Sequence, residues 1–455
     1  MSSRAKHTAI PALCAALLMA LSLALPSASL ADVRKTDVIC GTTVQAAGFT
    51  SALCPDIDCN RAMIVDSEGV VYYERNADER CHIASITKVM TAITALENAS
   101  LDTTVSVSET AAKIGESTAE LKAGDTLTLQ EALKALLWPS GNDAAVAIAE
   151  SVGAQMLESQ GADASDASAC QQAFVDAMNT TAASIGMNDS LFSNPHGLDT
   201  SSYANEKMYS TARDVATMCA YAMGKSEIKA ITSMDGGVCT VTRDGSRVSI
   251  ELESTDELLG SYEGVEGVKT GWTSEAGYCF ASACDRNGHE LFGCVLDGTS
   301  EEGRFTDTTT LWDWTYQHCI SYPLVHTTES VGDKPVVAYV GCSAWADRTV
   351  AATVEDPSAA VEVFDLSGNV SQEATFTEPS GEVKAGDELG EITYYQHNEQ
   401  IAKAKLVAAE DVEAPGFFDS IGIWFLRLTG GGQAAESYLV NDTPLILDKS
   451  NQLAT

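Results

Sequence analysis

The sequence predicts an α/β (α+β) fold, an antiparallel sheet packed with a helical cluster. A small all-β domain and a C-terminal amphipathic helix follow. Three observations carry this. β-Prone segments stand at both ends of the first three hundred or so residues, in a chain whose length suggests about two to four domains. Apolar residues at the helical period fill the stretch between them. After Tyr322-Pro323 the chain turns to short Val-, Thr- and Gly-rich pieces with few helix signals.

The elements read in order. Arg61–Asp66 and Val70–Glu74 flank Ser67-Glu68-Gly69, a hairpin pattern. Ile86, Val89, Met90, Ile93 and Leu96 recur at 3.6 residues and mark a helix. Leu129, Leu133, Leu136 and Leu137 mark a second, which Pro139 ends; a third starts over Ala144–Val152. Ala164–Ser168 is a polar loop of small residues. Helical patterning returns over Cys170–Ile185 and Thr211–Met223. Gly277–Cys284 and His289–Leu296 flank Asp285-Arg286-Asn287-Gly288, a strong hairpin turn. The expected organisation is a leader over 1–31, a main domain over 32–322, a β domain over 323–411 and a helix within 412–429. A polar tail over 430–455, expected to be loose, completes it.

The leader has a basic start (Arg4, Lys6), an apolar run from Ala9 to Leu25, and small residues at Ser29 and Ala31, which suit cleavage after Ala31. The run is short for a membrane span, which needs roughly 20 residues. An exported protein is therefore expected. Of 13 Cys, the leader removes Cys14 and leaves an even number, which an oxidising compartment could pair. Cys54 and Cys59 are near enough in sequence to pair, or to be buried free thiols. No CxxC occurs and no Cys/His cluster has zinc spacing, so no metal and no cofactor is expected. With 27 Lys+Arg against 64 Asp+Glu, the formal charge is −37. That argues against a nucleic-acid partner, since phosphate binding needs clustered cations.

Three short elements can carry chemistry. Ser85-Ile86-Thr87-Lys88 opens the first helix, where residues three apart share a face, so Ser85 and Lys88 can meet. A serine hydroxyl needs a nearby base to become a nucleophile, and a lysine with a depressed pKa is one. The alternative is an N-cap, but a capping box wants Glu or Gln where Lys88 stands, and a cation there opposes the helix dipole. The same spacing recurs at Ser3-Lys6 and Ser226-Lys229, so context must choose. Ser140-Gly141-Asn142 follows Pro139 between two helices and could present a hydroxyl and an amide to a cleft; it could also be a plain turn. Its twin at Ser367-Gly368-Asn369 reads as a turn. Lys269-Thr270-Gly271 leads into a strand.

In the order S-x-x-K, S-x-N, K-T-G, the chain resembles the serine penicillin-recognising enzymes. The surrounding words are most similar to the low-molecular-mass penicillin-binding proteins, the serine-type D-alanyl-D-alanine carboxypeptidases. Those words are Ala84–Ala92, Trp138–Ala145, Asn194-Pro195-His196-Gly197-Leu198-Asp199 and Val268–Tyr278. The resemblance implies that fold and a reaction on peptidoglycan stem peptides, with β-lactams as inhibitors. It implies Ser85 as nucleophile, Lys88 as proton acceptor and Ser140 as proton relay. Asn142, Lys269, Thr270, Gly271 and Trp272 would bind substrate, with the N–H groups of Ser85 and Trp272 as oxyanion hole. His196 fits an ordered loop better than a general base.

A serine β-lactamase is one alternative, but no E-x-x-L-N stands between Asn142 and Lys269. A catalytically idle wall-binding protein is another, and the complete motif set argues against it. The stripe Phe417, Phe418, Ile421, Trp424, Phe425, Leu428 can pack on the β domain, offer a partner face or lie as an interfacial membrane helix; the resemblance implies the last, although Arg427 is its only cation.

Overall fold

The computed structural model describes residues 34–199 and 207–447. The leader over 1–31 and the last residues of the tail lie outside the described residues. The main sheet is antiparallel with seven strands. In chain order these are β1 (Val38–Ile39), β2 (Thr42–Thr43), β3 (Arg61–Asp66), β4 (Val71–Arg75), β5 (Val265–Thr273), β6 (Gly277–Arg286) and β7 (His289–Gly298). Their order across the sheet is β2-β1-β4-β3-β7-β6-β5. Strand β5, carrying Lys269-Thr270-Gly271, is therefore an edge. The β3–β4 turn forms as its residues dictate: Asp66 Oδ1 accepts from the N–H groups of Glu68 (2.9 Å) and Val70 (2.8 Å), and Gly69 takes φ +88°.

One sheet face packs on helices α1 (Thr87–Asn98), α2 (Leu129–Leu137), α3 (Asn142–Ser159), α4 (Ala167–Ser184), α5 (Ala212–Met223) and α6 (Ser226–Thr232). Helix α1 shows more than the expected stripe, for every residue from Thr87 to Ala95 is buried. It is a central helix, which Ala and Thr between the large apolar residues permit. Gly153 lets α3 and α4 meet: a Cβ there would lie 2.0 Å from Cys170 O. The other sheet face is covered by α7 (Glu301–His318) around Trp312, Tyr73 and Phe280. Beside the helices lies a four-stranded sheet whose hairpin, Gly236–Arg243 with Ser246–Glu253, was not anticipated. It turns on Asp244-Gly245, both left-handed.

The later chain builds a second β unit around its own core, including Val340, Val350, Ile392 and Leu406. A small pair, Cys319–Pro323 with Ala360–Phe364, joins it to the end of α7. The segment read as a loose tail is not loose throughout. Tyr438–Leu439 pair with Ala338–Tyr339 as an edge strand, and Asn441 is buried. Asn441 holds it by donating to Leu324 O (2.9 Å) and accepting from His326 N–H (2.7 Å), long-range partners that local composition cannot show. Before it, α8 (Phe417–Leu428) buries only Ile423, and leaves Phe418, Trp424 and Phe425 more than half exposed. No helix among the described residues is long and apolar enough to cross a membrane. The twelve described cysteines are free thiols, so Cys54 and Cys59 are unbridged.

Candidate active site

Ser85 lies one turn ahead of α1, in the 3-10 turn Ala84–Ile86, rather than inside the helix. Ala84 is left-handed at φ +48°, a conformation that costs an L-residue roughly 1–2 kcal/mol. Two contacts hold it there. The carbonyl of Ala84 lies so close to Gly197 that a Cβ would sit 1.9 Å away. Gly271 on β5 closes from another side, its added Cβ 3.1 Å from the Ser85 nitrogen. Lys88, one turn on, is fully buried, and its Nζ donates to Ser85 Oγ (2.8 Å) and to His196 O (2.8 Å). Burial holds the Lys88 pKa well below its ordinary value; the charge of Lys269 adds to this and Asp143 opposes it.

Helix α2 ends at Leu137, and the chain turns through Ser140 at φ +63° before α3 starts at Asn142. Ser140 Oγ and Asn142 Oδ1 are buried without a hydrogen-bond partner, while Asn142 Nδ2 donates to Gly115 O (3.0 Å). Buried polar atoms are rarely left open, and two on the wall of one cleft are suited to a bound molecule. Asp143, whose role the sequence did not reveal, braces this wall. Its carboxylate accepts from the N–H groups of Ala119 (3.0 Å), Leu121 (3.1 Å) and Ala144 (2.8 Å).

Across the cleft, Lys269 is buried and donates to Thr270 O (3.0 Å). Burial, helped by Arg304 and opposed by Asp256, pushes its pKa down to about 7. Thr270 and Thr255 bring their hydroxyls within 2.6 Å of each other. Trp272 is 55 % exposed at the cleft mouth. The cleft, of about 600 Å³, brings Ser85, Ser140, Asn142, Thr270, Gly271 and Trp272 together on its lining. Lys88 and Lys269 stand behind it.

Sequence reading missed Arg304 and Thr255, both on this lining and both outside any motif. Arg304 stands over Phe305 (4.8 Å to the ring centroid) with its Nε unpartnered. It also missed the strut beneath the motifs: Asp199 Oδ2 accepts from Thr273 Oγ1 (2.9 Å) and lies 3.1 Å from His82 Nδ1. His196 is in the loop as expected. Its Nδ1 accepts from Leu198 N–H (3.1 Å), which leaves the proton on Nε2, and burial pushes its pKa down to about 3. The look-alikes are used otherwise. Lys229 pairs with Glu266 and Glu290, each at 2.8 Å, and Asn369 Oδ1 accepts from Ile446 N–H (2.8 Å) and Leu447 N–H (3.0 Å).

Fold and site together define a serine acyl-transfer centre with a buried lysine beside its hydroxyl. The profile of one family, D-alanyl-D-alanine carboxypeptidase, matches residues 48–300. The chain is 27% identical over 385 residues to D-alanyl-D-alanine carboxypeptidase DacF of Bacillus subtilis, covering 82% of this chain and 90% of that one. It is 34% identical over 254 residues to the D-alanyl-D-alanine carboxypeptidase of Streptomyces sp. strain K15, covering 54% and 82%. The crystal structure of the Streptomyces K15 DD-transpeptidase superposes with a TM-score of 0.52 at 29% identity, covering 58% of this chain and 98% of that one. The chain belongs to the D-alanyl-D-alanine carboxypeptidase family, serine-type hydrolases of the penicillin-recognising fold.

Proposed function

We propose that this chain removes the terminal D-alanine from peptidoglycan stem peptides through an acyl-enzyme on Ser85. One observation carries the reading: Ser85 Oγ lies 2.8 Å from the Nζ of a fully buried lysine, on a cleft whose other wall is the Lys269-Thr270-Gly271 edge. With an N–H spent on His196 O, the neutral Lys88 amine can turn its lone pair to the serine proton. Ser85 Oγ attacks the carbonyl carbon of the D-Ala-D-Ala bond as Lys88 takes its proton. The N–H groups of Ser85 and Trp272 receive the oxyanion, commonly the largest electrostatic contribution. Ser140 passes a proton to the leaving amine, the C–N bond breaks and D-alanine departs. Water then cleaves the ester, returns a proton through Lys88 and frees Ser85. Lys269, Thr270 and Arg304 hold the substrate's terminal carboxylate, and Asn142 orients Lys88 and the substrate amide. β-Lactams enter by the same acylation.

The wider reading follows. Residues 32–322 form the catalytic domain, 323–411 a β domain, and the chain works outside the cytoplasm once the leader is removed. Helix α8 contacts the membrane surface through Phe417–Leu428. The direct test is D-alanine release from an acyl-D-Ala-D-Ala peptide beside labelled penicillin. Wild type releases D-alanine and is labelled; Ser85→Ala does neither. Undiminished release by Ser85→Ala overturns the assignment.

A further inference from the structure

A cluster of metal-ligating groups stands far from Ser85 along the chain, where the main sheet meets the β unit. His289 opens β7, Cys319 begins the strand after α7, and Glu362 lies on the strand Ala360–Phe364. One ligand atom from each lies within 4.8 Å of the others. The edge of a zinc tetrahedron is roughly 3.3–3.6 Å, so the side chains must draw together by about 1 Å to close on one ion.

The hydrogen bonds behind His289 decide which of its nitrogens is available. Tyr72 donates its proton to Asp66 Oδ2 (2.8 Å), in a carboxylate already held by two backbone N–H groups. With that proton committed, the Tyr72 oxygen, 3.3 Å from His289 Nε2, is placed to accept from it, which puts the imidazole proton on Nε2. The lone pair of neutral His289 is then on Nδ1. There it lies 2.7 Å from Glu362 Oε1, yet out of line for an N–H···O bond, and it has no hydrogen-bond partner. With its lone pair on Nδ1, the imidazole converges with a carboxylate and a thiol on one space that a cation can fill. A tyrosine and carboxylate fixing the far nitrogen is also how ligand histidines are oriented. The cleft in front is lined by Asp66, Glu68, Glu362 and Glu399, and by no Lys or Arg among the described residues.

We propose that His289, Cys319 and Glu362 bind a divalent cation of the zinc class, pinning β7 to the first strand pair of the β unit. Mixed nitrogen, thiolate and carboxylate donors suit zinc rather than magnesium or calcium. On binding, bonds form from Nδ1, Sγ and a carboxylate oxygen, and the Cys319 thiol proton leaves to solvent. The cleft leaves room for a water as fourth ligand. The site is structural and takes no part in the reaction at Ser85.

The test is metal titration of the full chain after chelation, with zinc and with cobalt as a spectroscopic stand-in. The expected result is one zinc per chain and a thiolate-to-cobalt charge-transfer band that Cys319→Ser removes. Glu362→Gln and His289→Ala weaken zinc at least as much as Tyr72→Phe, which should cost about 10–100-fold. D-Alanine release by each variant at the wild-type rate shows that it folds. Three results each overturn the site: no stoichiometric uptake by wild type, a cobalt band that survives Cys319→Ser, or zinc affinity indifferent to Glu362→Gln.

Discussion

Lys88 and Lys269 show one residue type placed in one cleft for opposite tasks. In the proposed mechanism Lys88 must be neutral to accept the serine proton, and Lys269 must be charged to attract a carboxylate. With the Lys269 pKa near 7, kcat/KM should fall as pH rises through that value. Lys269→Arg, which stays charged, should move the falling limb to higher pH in a pH–rate profile. Stability runs the other way. The folded state binds fewer protons than the unfolded chain between about 7 and 10.5, so stability should rise with pH across that window. The slope is about 1.4 kcal/mol per pH unit. Lys269→Met should therefore raise the melting temperature at neutral pH while abolishing activity. Gly197→Ala should act through geometry, because its Cβ would strike Ala84 O. It should unseat Ser85 and remove penicillin labelling before the protein unfolds, as circular dichroism would show. These two lysines, with Ser85, Ser140 and Asn142, were legible because short spacing and family words mark them. Arg304 and Thr255 were not, since nothing local distinguishes a cleft residue that only the folded chain brings near, and Asp199 stood in a family word that did not show its partner Thr273.

Elements were legible where a period or a turn residue declares them. The 3.6-residue stripe located α1, and Asp285–Gly288 located the β6–β7 turn. What periodicity could not give was environment. Helix α1 is buried all round, and the Tyr438–Leu439 edge strand has only two residues and polar neighbours. Asn441 makes that strand testable. Asn441→Ala leaves the His326 N–H without its partner, at about 1–3 kcal/mol, while the Leu324 carbonyl keeps the Tyr394 hydroxyl (2.7 Å). A lowered urea midpoint with unchanged kcat is expected. Helix α8 presents the reverse case, an apolar face that no described residue covers. Phe418→Glu and Trp424→Glu should abolish co-flotation with lipid vesicles and leave D-alanine release from soluble peptide unchanged. Vesicle binding equal to wild type would discard the membrane role.

At the scale of the molecule, a formal charge of −37 means self-repulsion that the fold must withstand. Raising ionic strength from about 10 to about 150 mM shortens the screening length roughly fourfold and should raise the melting temperature. The proposed metal site also belongs to this scale, because its ligands come from three elements thirty or more residues apart. Zinc spacing in sequence looks for neighbours, so it passed over them. The main sheet has a consequence for synthesis. Strand β3 pairs with β7 across more than two hundred residues, Ala62 opposite Val295, and β5 must arrive before Gly271 can press on Ser85. Closing such distant pairs is slow. A chain leaving the ribosome therefore carries its nucleophile long before it has the strands that surround it. Until β7 has been synthesised the main sheet cannot close, and the cleft around Ser85 is unassembled.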